Sequence, residues 1–184
     1  MNYDPAQVYW PEADTYLLLE AALAEVSTGD QVLETGTGSG LIAAELSRAG
    51  QVVATDINPH AVVAARRRGA ETIRTDLLAG ICGSFDLIIF NPPYLPTSPE
   101  ERIDDWLEYA LDGGPDGRDL IERFAQAVGD VLARKGRILI LISSLTGLHE
   151  VEVLFSRQGF SSEIVREQIV EDEVLYVLKM VRTP

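Results

Sequence analysis

A glycine-rich turn between a strand pattern and a helix pattern is the feature that most limits the fold of this chain. Residues 31–34 form a short strand pattern, Thr35-Gly36-Thr37-Gly38-Ser39-Gly40 follows, and residues 41–48 have helical spacing. Glycines let the backbone approach a ligand closely, and in open parallel sheets the ligand crevice lies beyond the carboxyl ends of the strands. This order of elements predicts an α/β fold with a nucleotide-binding type of crevice.

The spacing of the glycines makes phosphate an improbable ligand. The pattern G-x-G-x-G, with Glu34 just before it, differs from the G-x-G-x-x-G dinucleotide fingerprint, and no Walker-type Lys-Ser/Thr follows it. A second strand pattern, 51–55, ends at Asp56, which lies 20 residues after Gly36. A carboxylate at that point accepts hydrogen bonds from two ribose hydroxyls. The crevice is therefore expected to hold a nucleoside.

Asp76 is the acidic residue at the end of a third strand pattern, 71–75. A carboxylate there suits an adenine amino group. The same residue could instead be the N-cap of a short turn at Leu77-Leu78. Both interpretations stay open from this residue alone.

The fourth strand pattern ends in a motif that suits a planar nitrogen. The apolar run 85–90 is typical of a buried parallel strand and is followed at once by Asn91-Pro92-Pro93-Tyr94. The Asn91 amide oxygen and the Pro92 carbonyl are acceptors for the N–H bonds of an amide or amine, and Tyr94 offers a stacking face. Two prolines make the segment rigid. An ordinary strand-ending turn is the competing interpretation of these four residues.

Together, the four strand ends Glu34, Asp56, Asp76 and Asn91 resemble the motifs of class I S-adenosylmethionine-dependent methyltransferases, and NPPY marks the branch that methylates planar nitrogens. The segment 8–18, VYWPEADTYLL, resembles V-Y-x-P-x-x-D-T-x-L-L of the HemK/PrmC-related enzymes, and GGPDGR at 113–118 resembles their G-G-x-x-G-R stretch. The likeness runs from about Val8 to about Met180. It points to the short archaeal and eukaryotic subgroup that modifies the glutamine of the Gly-Gly-Gln motif in class 1 translation termination factors.

The resemblance implies a role for each motif residue. Asn91, Pro92, Pro93 and Tyr94 would be catalytic, holding the glutamine amide in line with the sulfonium methyl group, so that no strong general base is needed beforehand. Glu34 would lie near the amino group of S-adenosyl-L-methionine, Gly36 and Gly38 at its methionine end, and Thr15 would close over it. Asp56 would bind the ribose, and Asp76 with Leu77 the adenine. Tyr9 and Asn91 would also bind the cofactor.

The resemblance also implies one Rossmann-like domain over residues 1–184, beginning with a short helical segment at about 1–28. Its mostly parallel seven-stranded sheet would have the order 3-2-1-4-5-7-6, with strand 7 antiparallel and helices on both faces. The helix patterns cover 13–26, 41–48, 59–68, 119–133 and 147–158, and the last strand patterns cover 136–143, 161–170 and 174–181. The polar connection 97–117 would be a substrate-facing lid or a disordered surface loop.

A partner chain is also implied. Bacterial PrmC-type enzymes carry an additional N-terminal domain that helps bind the factor, whereas here the cofactor motif begins by residue 31. The resemblance implies a heterodimer with a small zinc-binding activator subunit, which would pair with the edge strand Thr72–Thr75. An exposed strand edge is a template for such strand addition.

The charge balance limits the other partners. The chain has 29 acidic and 15 basic residues, a formal net charge of −14. Its surface repels polyanions over a Debye length of about 10 Å, so nucleic acid is disfavoured. Only Lys135 and Lys179 are lysines. This imbalance favours a halophile protein, with an ordinary acidic protein as the alternative.

Few residues point to metal, disulfide or membrane chemistry. Cys82 is the single cysteine, so there is no internal disulfide, and His60 and His149 lie far apart in the sequence without a cluster of ligands. No metal site is expected. The sequence has no signal peptide and no apolar run of transmembrane length, and these features predict a cytoplasmic protein.

The expected function is therefore protein-glutamine N5-methylation of a termination factor. An N6-adenine nucleic-acid methyltransferase stays open because NPPY can hold a planar amine as well, although the charge argues against it. A lysine methyltransferase fits less well because an ammonium must first lose a proton. A catalytically silent cofactor-binding scaffold is the non-enzymatic alternative, but it would have no use for the NPPY acceptors.

Overall fold

The computed structural model describes residues 3–98, 100 and 105–183, which form one seven-stranded sheet with helices on both faces. The strands are β1 (Gln31–Thr35), β2 (Gln51–Asp56), β3 (Glu71–Arg74), β4 (Phe85–Phe90), β5 (Leu132–Ser143), β6 (Phe160–Val170) and β7 (Glu173–Arg182). The helices are α1 (Ala13–Glu25), α2 (Leu41–Leu46), α3 (Pro59–Arg67), α4 (Glu108–Leu111), α5 (Asp119–Val128) and α6 (Leu148–Arg157), and a 3-10 turn (Pro5–Gln7) precedes α1.

The strand order is β3-β2-β1-β4-β5-β7-β6. The pairs β3–β2, β2–β1, β1–β4 and β4–β5 are parallel, whereas β7 is antiparallel to both β5 and β6. Thr35 lies opposite both Thr55 and Phe90, so the carboxyl ends of β1, β2 and β4 lie side by side. The predicted strand order and the antiparallel β7 are confirmed.

Strand β4 is buried on both sides because its side chains alternate between two cores. Ile88 and Phe90 belong to the core under α5 and α6, whereas Leu87 and Ile89 belong to the core under α1 and α2. Burying each such side chain contributes roughly 1.5 to 3 kcal/mol. The strand is thereby fixed in register, and the residue that follows it, Asn91, has a defined place at the carboxyl edge.

The helix predicted over 119–133 is too long. Helix α5 ends at Val128, and β5 begins at Leu132, four residues before the predicted Gly136. Val131 and Leu132 are buried in the sheet's core, and Leu132 pairs with Phe85 before a register shift. The burial of these two side chains in the core therefore outweighs the helical pattern of the sequence in this stretch.

The predicted loop 97–117 contains a short helix that its polar composition did not indicate. Its residues 99 and 101–104 lie outside the described residues, and α4 lies within this connection.

The predicted edge strand ends one residue early, at Arg74, although Thr75 still donates its N–H to the Asp56 carbonyl at 3.0 Å. Within the described ranges, no helix is long and apolar enough to cross a membrane.

Candidate active site

A cleft of about 1120 Å³, its open mouth included, lies at the carboxyl ends of β1, β2 and β4. All of the sequence-predicted site residues line it: Tyr9, Thr15, Glu34, Gly36, Gly38, Asp56, Asp76, Leu77, Asn91, Pro92, Pro93 and Tyr94. The lining also contains residues to which the sequence assigned no role, among them Asp14, Tyr109, Leu111 and Leu120. The structure thus brings the predicted residues together, and their individual roles stay predictions.

Glu34 is a buried carboxyl group beneath the glycine-rich turn. Its Oε2 accepts hydrogen bonds from Thr37 Oγ1 at 2.5 Å and from the Ala43 N–H at 3.0 Å, in the first turn of α2. Burial raises the pKa of Glu34 to about 8, although these two hydrogen bonds act in the opposite direction. In the free protein Glu34 is therefore largely protonated at neutral pH, and a cation beside it would ionise it.

Gly38 links the glycine-rich turn to Asp56. The Gly38 N–H donates to Asp56 Oδ2 at 2.9 Å, and the Asn58 N–H donates to Oδ1 at 2.8 Å. Gly38 has φ +52°, and a Cβ there would lie 3.3 Å from the Tyr9 carbonyl oxygen, so the position favours glycine on both counts. Each carboxylate oxygen of Asp56 retains a further lone pair, with which it could accept a hydroxyl.

Burial raises the pKa of Asp56, and the backbone hydrogen bonds that it accepts counteract this shift. Asp56 and Glu34 are thus two acidic groups in one cleft, and each charge raises the cost of ionising the other. A ligand that brings a cation and hydroxyl donors into the cleft would relieve this cost.

Asp76 forms an ion pair with Arg123 that the sequence did not indicate, with 2.7 Å between Oδ2 and Nη2. Both side chains are about half exposed, and ion pairs of this kind contribute at most about 1 kcal/mol. The pair is therefore no obstacle to an adenine contact. Leu77 has φ +48°, a conformation that is strained for a residue with a side chain and that turns the backbone sharply beside the cleft.

The nitrogen and the oxygen of the Asn91 side-chain amide have different surroundings. Its Nδ2 donates to Asp14 Oδ2 at 2.9 Å. Its Oδ1 is buried and accepts no hydrogen bond from the described residues. Leaving such an acceptor unpaired costs about 1 to 3 kcal/mol, so this oxygen marks a place where a ligand donor would be stabilised. Pro92 and Pro93, which follow, are buried.

The GGPDGR segment supports the NPPY motif from behind, a role that the sequence alone did not show. A Cβ at Gly113 would lie 2.6 Å from the Leu95 carbonyl oxygen and 2.8 Å from that of Pro93, and a Cβ at Gly117 would collide with the Tyr94 carbonyl. Thr146 Oγ1 also donates to that carbonyl, at 2.7 Å. The backbone of the motif is therefore fixed by close contacts on the side away from the ligand.

Asn58 ties two chain segments to the rim of the cleft. Its Oδ1 caps α3 by accepting from the His60 N–H at 2.8 Å. Its Nδ2 donates to the Gln7 carbonyl at 2.6 Å and to the Trp106 carbonyl at 3.3 Å. Tyr109 and Leu111, in the described part of the 97–117 connection, line the cleft. The lid stays a prediction.

The described part of the chain contains no group of three or more His, Cys, Asp or Glu side chains that could hold a metal ion. His60 Nδ1 accepts the Asp4 N–H at 3.0 Å, and Cys82 is exposed. These side chains thus have structural or surface positions in the fold.

Comparisons with known proteins agree on one family. Residues 12–103 match the family model described as "Methyltransferase small domain". The chain is 40% identical over 180 residues to a protein of Methanocaldococcus jannaschii that is provisionally named as a protein N5-glutamine methyltransferase, covering 94% of this chain and 90% of that protein. It is 31% identical to the methyltransferase HEMK2 of Homo sapiens, covering 97% of this chain and 91% of that protein.

A solved structure shares the whole architecture. It is the Mtq2–Trm112 complex of E. cuniculi, described as responsible for methylation of the eRF1 translation termination factor. The TM-score is 0.82 at 31% identity, and the match covers 96% of this chain and 99% of that chain. This chain therefore belongs to the methyltransferase small-domain family, as one of its HemK/PrmC-related S-adenosylmethionine-dependent methyltransferases.

Proposed function

We propose that this chain methylates the side-chain nitrogen of the glutamine in the Gly-Gly-Gln motif of a class 1 translation termination factor. The observation that carries the proposal is the buried, unpaired Oδ1 of Asn91 in the cleft. An acceptor in a rigid segment suits the N–H of a planar amide. The choice of substrate is supported by the relatives whose names specify glutamine or a termination factor as the target.

In the proposed mechanism, S-adenosylmethionine supplies a methyl group on a positively charged sulfur. Asn91 Oδ1 and the Pro92 carbonyl accept the two amide N–H bonds and hold the nitrogen in line with that methyl group. The two acceptors would stabilise the positive charge that develops on the nitrogen as it takes the methyl group and sulfur keeps the S–C electron pair, until a proton leaves to solvent. Orientation of this kind lowers a barrier by roughly 7 to 11 kcal/mol in favourable cases.

The donors and acceptors of the cleft fit the cofactor. Asp56 retains lone pairs for a diol, Gly38 admits a close backbone approach, and the buried Glu34 lacks a cation. We propose that Glu34 and Thr15 lie at the methionine end, Asp56 at the ribose, and Asp76 with Leu77 at the adenine.

The raised pKa of Glu34 leads to a measurable expectation. At pH 7 the free protein holds a proton on Glu34, and a cofactor ammonium beside it would lower that pKa and release about one proton. Affinity should therefore rise with pH between about 6 and 7.5, below the range where an α-amino group itself loses its proton. Calorimetry in two buffers that differ in ionisation enthalpy counts the protons. Glu34→Gln should release none, and equal proton release in both proteins would exclude this placement.

Two other enzymatic functions can be distinguished from glutamine methylation. An N6-adenine methyltransferase could use the same acceptors, but a net charge of −14 opposes a polyanionic substrate. A lysine methyltransferase would need to remove a proton from an ammonium, for which the unpaired Asn91 Oδ1 is a weak base. A silent scaffold would have no use for the unpaired acceptor of Asn91.

Mass spectrometry of a termination factor incubated with this chain and S-adenosylmethionine tests the function directly. A gain of one methyl group on the glutamine of the Gly-Gly-Gln motif is the expected result. A factor with Gly-Gly-Asn in its place is the matched control. Methylation only of DNA, of RNA or of a lysine would refute the proposal.

We further propose that β3 binds a small zinc-binding activator subunit by strand addition; the structural relative is a complex of Mtq2 with a second protein, Trm112. β3 is the terminal strand of the described sheet, and Ile73 on it is 44% exposed. Successive N–H groups of a strand point to opposite edges. Because Thr75 donates to β2, the N–H groups of Thr72 and Arg74 face outward.

This geometry gives a sharp test of the interface. Arg74→Pro removes an outward donor and should prevent co-purification with the partner, whereas Arg74→Ala loses only the side chain and should co-purify normally. Proline at Ile73 would instead weaken the pairing with β2 within the chain. Equal co-purification of the proline and alanine variants would show that the partner binds elsewhere.

We also propose that residues 1–184 form one domain and that the protein works in the cytoplasm of an archaeon. The charge balance supports a halophilic source for the protein. Screening should relieve repulsion among its 29 acidic residues, so the melting temperature should rise as potassium chloride increases to molar concentrations. An equal series with a neutral osmolyte separates screening from general solvent effects. A melting temperature that is flat or falls with salt would contradict the halophile assignment.

A further inference from the structure

Asp14 is a buried carboxylate at the centre of the site, to which neither the sequence motifs nor the mechanism above assigns a task. It lies in the first turn of α1 and is 3% exposed. Its Oδ1 accepts from the Thr15 N–H at 2.6 Å and from Thr15 Oγ1 at 3.2 Å. Its Oδ2 accepts from the Tyr9 hydroxyl at 3.1 Å and from Asn91 Nδ2 at 2.9 Å.

Every hydrogen bond described for the Asp14 side chain comes from a donor, so both of its oxygens act as acceptors. Burial, followed by the negative charge of Asp14, raises the pKa of both Tyr9 and Tyr94. Both hydroxyls therefore stay protonated and remain donors toward the carboxylate. A position in the first turn of a helix also favours negative charge.

An ionised carboxylate can only accept hydrogen bonds, whereas an asparagine amide has two ends of nearly equal shape, one a donor and one an acceptor. Beside Asp14, the Asn91 amide must therefore present its NH₂ group to the carboxylate. Its oxygen is then forced to the other side, where it is buried and unpaired. A turn of 180° would place a donor against the substrate N–H and an oxygen against a negative charge.

We propose that Asp14 is the positioning residue that fixes the Asn91 amide with its oxygen toward the substrate nitrogen. The inference rests on the proposed function, in which that oxygen receives the substrate N–H. By accepting the hydrogen bond that Asn91 Nδ2 donates, Asp14 also polarises the amide and makes Oδ1 a better acceptor as charge develops on the substrate. Asp14 thus acts on the reaction through Asn91 and does not touch the reacting atoms.

Exchanging the two side chains tests this inference. In Asp14→Asn, the new amide can turn its NH₂ group to residue 91, which frees Asn91 to flip, and the single-turnover rate should fall by about 10²-fold. Asn91→Asp places two carboxylates side by side and should be similarly slow. The double variant restores a donor at 14, an acceptor at 91 and an oxygen toward the substrate. It should therefore be at least about tenfold faster than either single variant.

Asp86, on the strand that Asn91 follows, provides an aspartate control for Asp14. Asp86 lies at the opposite end of β4 and accepts the Gln31 N–H at 3.0 Å. Asp86→Asn should keep the wild-type rate. Calorimetry with S-adenosylmethionine should give affinities within a few fold of wild type for all variants, which places the loss in the chemical step.

The possible outcomes distinguish a failure of the proposed function from a failure of the role assigned to Asp14. A wild-type chain that does not methylate the Gly-Gly-Gln glutamine even with its small partner subunit present refutes the proposed function. A wild-type chain that does so, with a double variant no faster than the slower single variant, overturns the role of Asp14. Asp14→Asn that loses cofactor binding, without recovery in the double variant, would show that Asp14 is merely structural.

Discussion

Asn91→Ala is expected to lower the single-turnover rate of methyl transfer by at least about 10²- to 10³-fold, while S-adenosylmethionine affinity stays within a few fold. The reason is that the variant removes a buried amide oxygen that lines the cleft and has no described hydrogen-bond partner. Pro92 and Pro93 leave the backbone of the motif rigid, so the loss is confined to one acceptor. Single-turnover assays and calorimetry measure the two quantities separately.

Thr97→Ala is a suitable control for this experiment, because Thr97 follows the motif closely and binds the Leu95 carbonyl at 3.2 Å from an exposed position. It should transfer methyl groups at the wild-type rate. If Asn91→Ala turns over normally, the assignment of Asn91 to the amide is wrong. If it loses cofactor binding as well as turnover, Asn91 acts mainly on the cofactor.

Asp56→Ala is expected to weaken S-adenosylmethionine binding by about 2 to 4 kcal/mol, the loss of two charge-assisted hydrogen bonds to the ribose. The variant also removes the acceptor for the Gly38 and Asn58 N–H groups. Part of the effect will therefore appear as a lower melting temperature without cofactor, which should be measured alongside the affinity. Asp56→Asn, which keeps the shape of the side chain, separates the loss of charge from the loss of contacts.

The effect of Asp76→Ala on cofactor affinity should be compared with that of Asp56→Ala. Asp76 is about half exposed and already paired with Arg123, so its loss should weaken cofactor binding by no more than about 1 kcal/mol. Undiminished affinity in Asp56→Ala would disprove the ribose role. Equal losses in the two variants would mean that the cleft responds to total charge and that neither residue has a specific contact.

The strand ends could be predicted from the sequence because each one is a local signal. An apolar run stops at a glycine, an acid or NPPY, and parallel strands place such ends at one edge of a sheet. The register of β1 with β2 and β4 then brings Glu34, Asp56 and Asn91 to the same cleft. The strand ends are local signals, whereas the strand order that places them side by side was predicted from the family resemblance.

The contacts that hold the site could not be predicted, because they join distant parts of the chain. Asp14 and Asn91 are 77 residues apart, and nothing in the pattern of either segment states which end of an amide faces the other. Trp106 and Gln7 are 99 residues apart. Similarly, the sequence 129–133 continues a helical pattern, and only the place of Val131 and Leu132 in the sheet's core makes it part of a turn and a strand.

The antiparallel direction of β7 has a practical consequence for the attachment of labels. Because β5 runs toward the cleft and β7 runs against it, residues 182–183 lie at the other end of the sheet, where Arg182 Nη2 donates to the Gly129 carbonyl at 2.6 Å. A fluorophore or surface tether placed there leaves the cleft accessible. The same group attached at Tyr9, which lines the cleft, would lie on the rim that any protein substrate must approach.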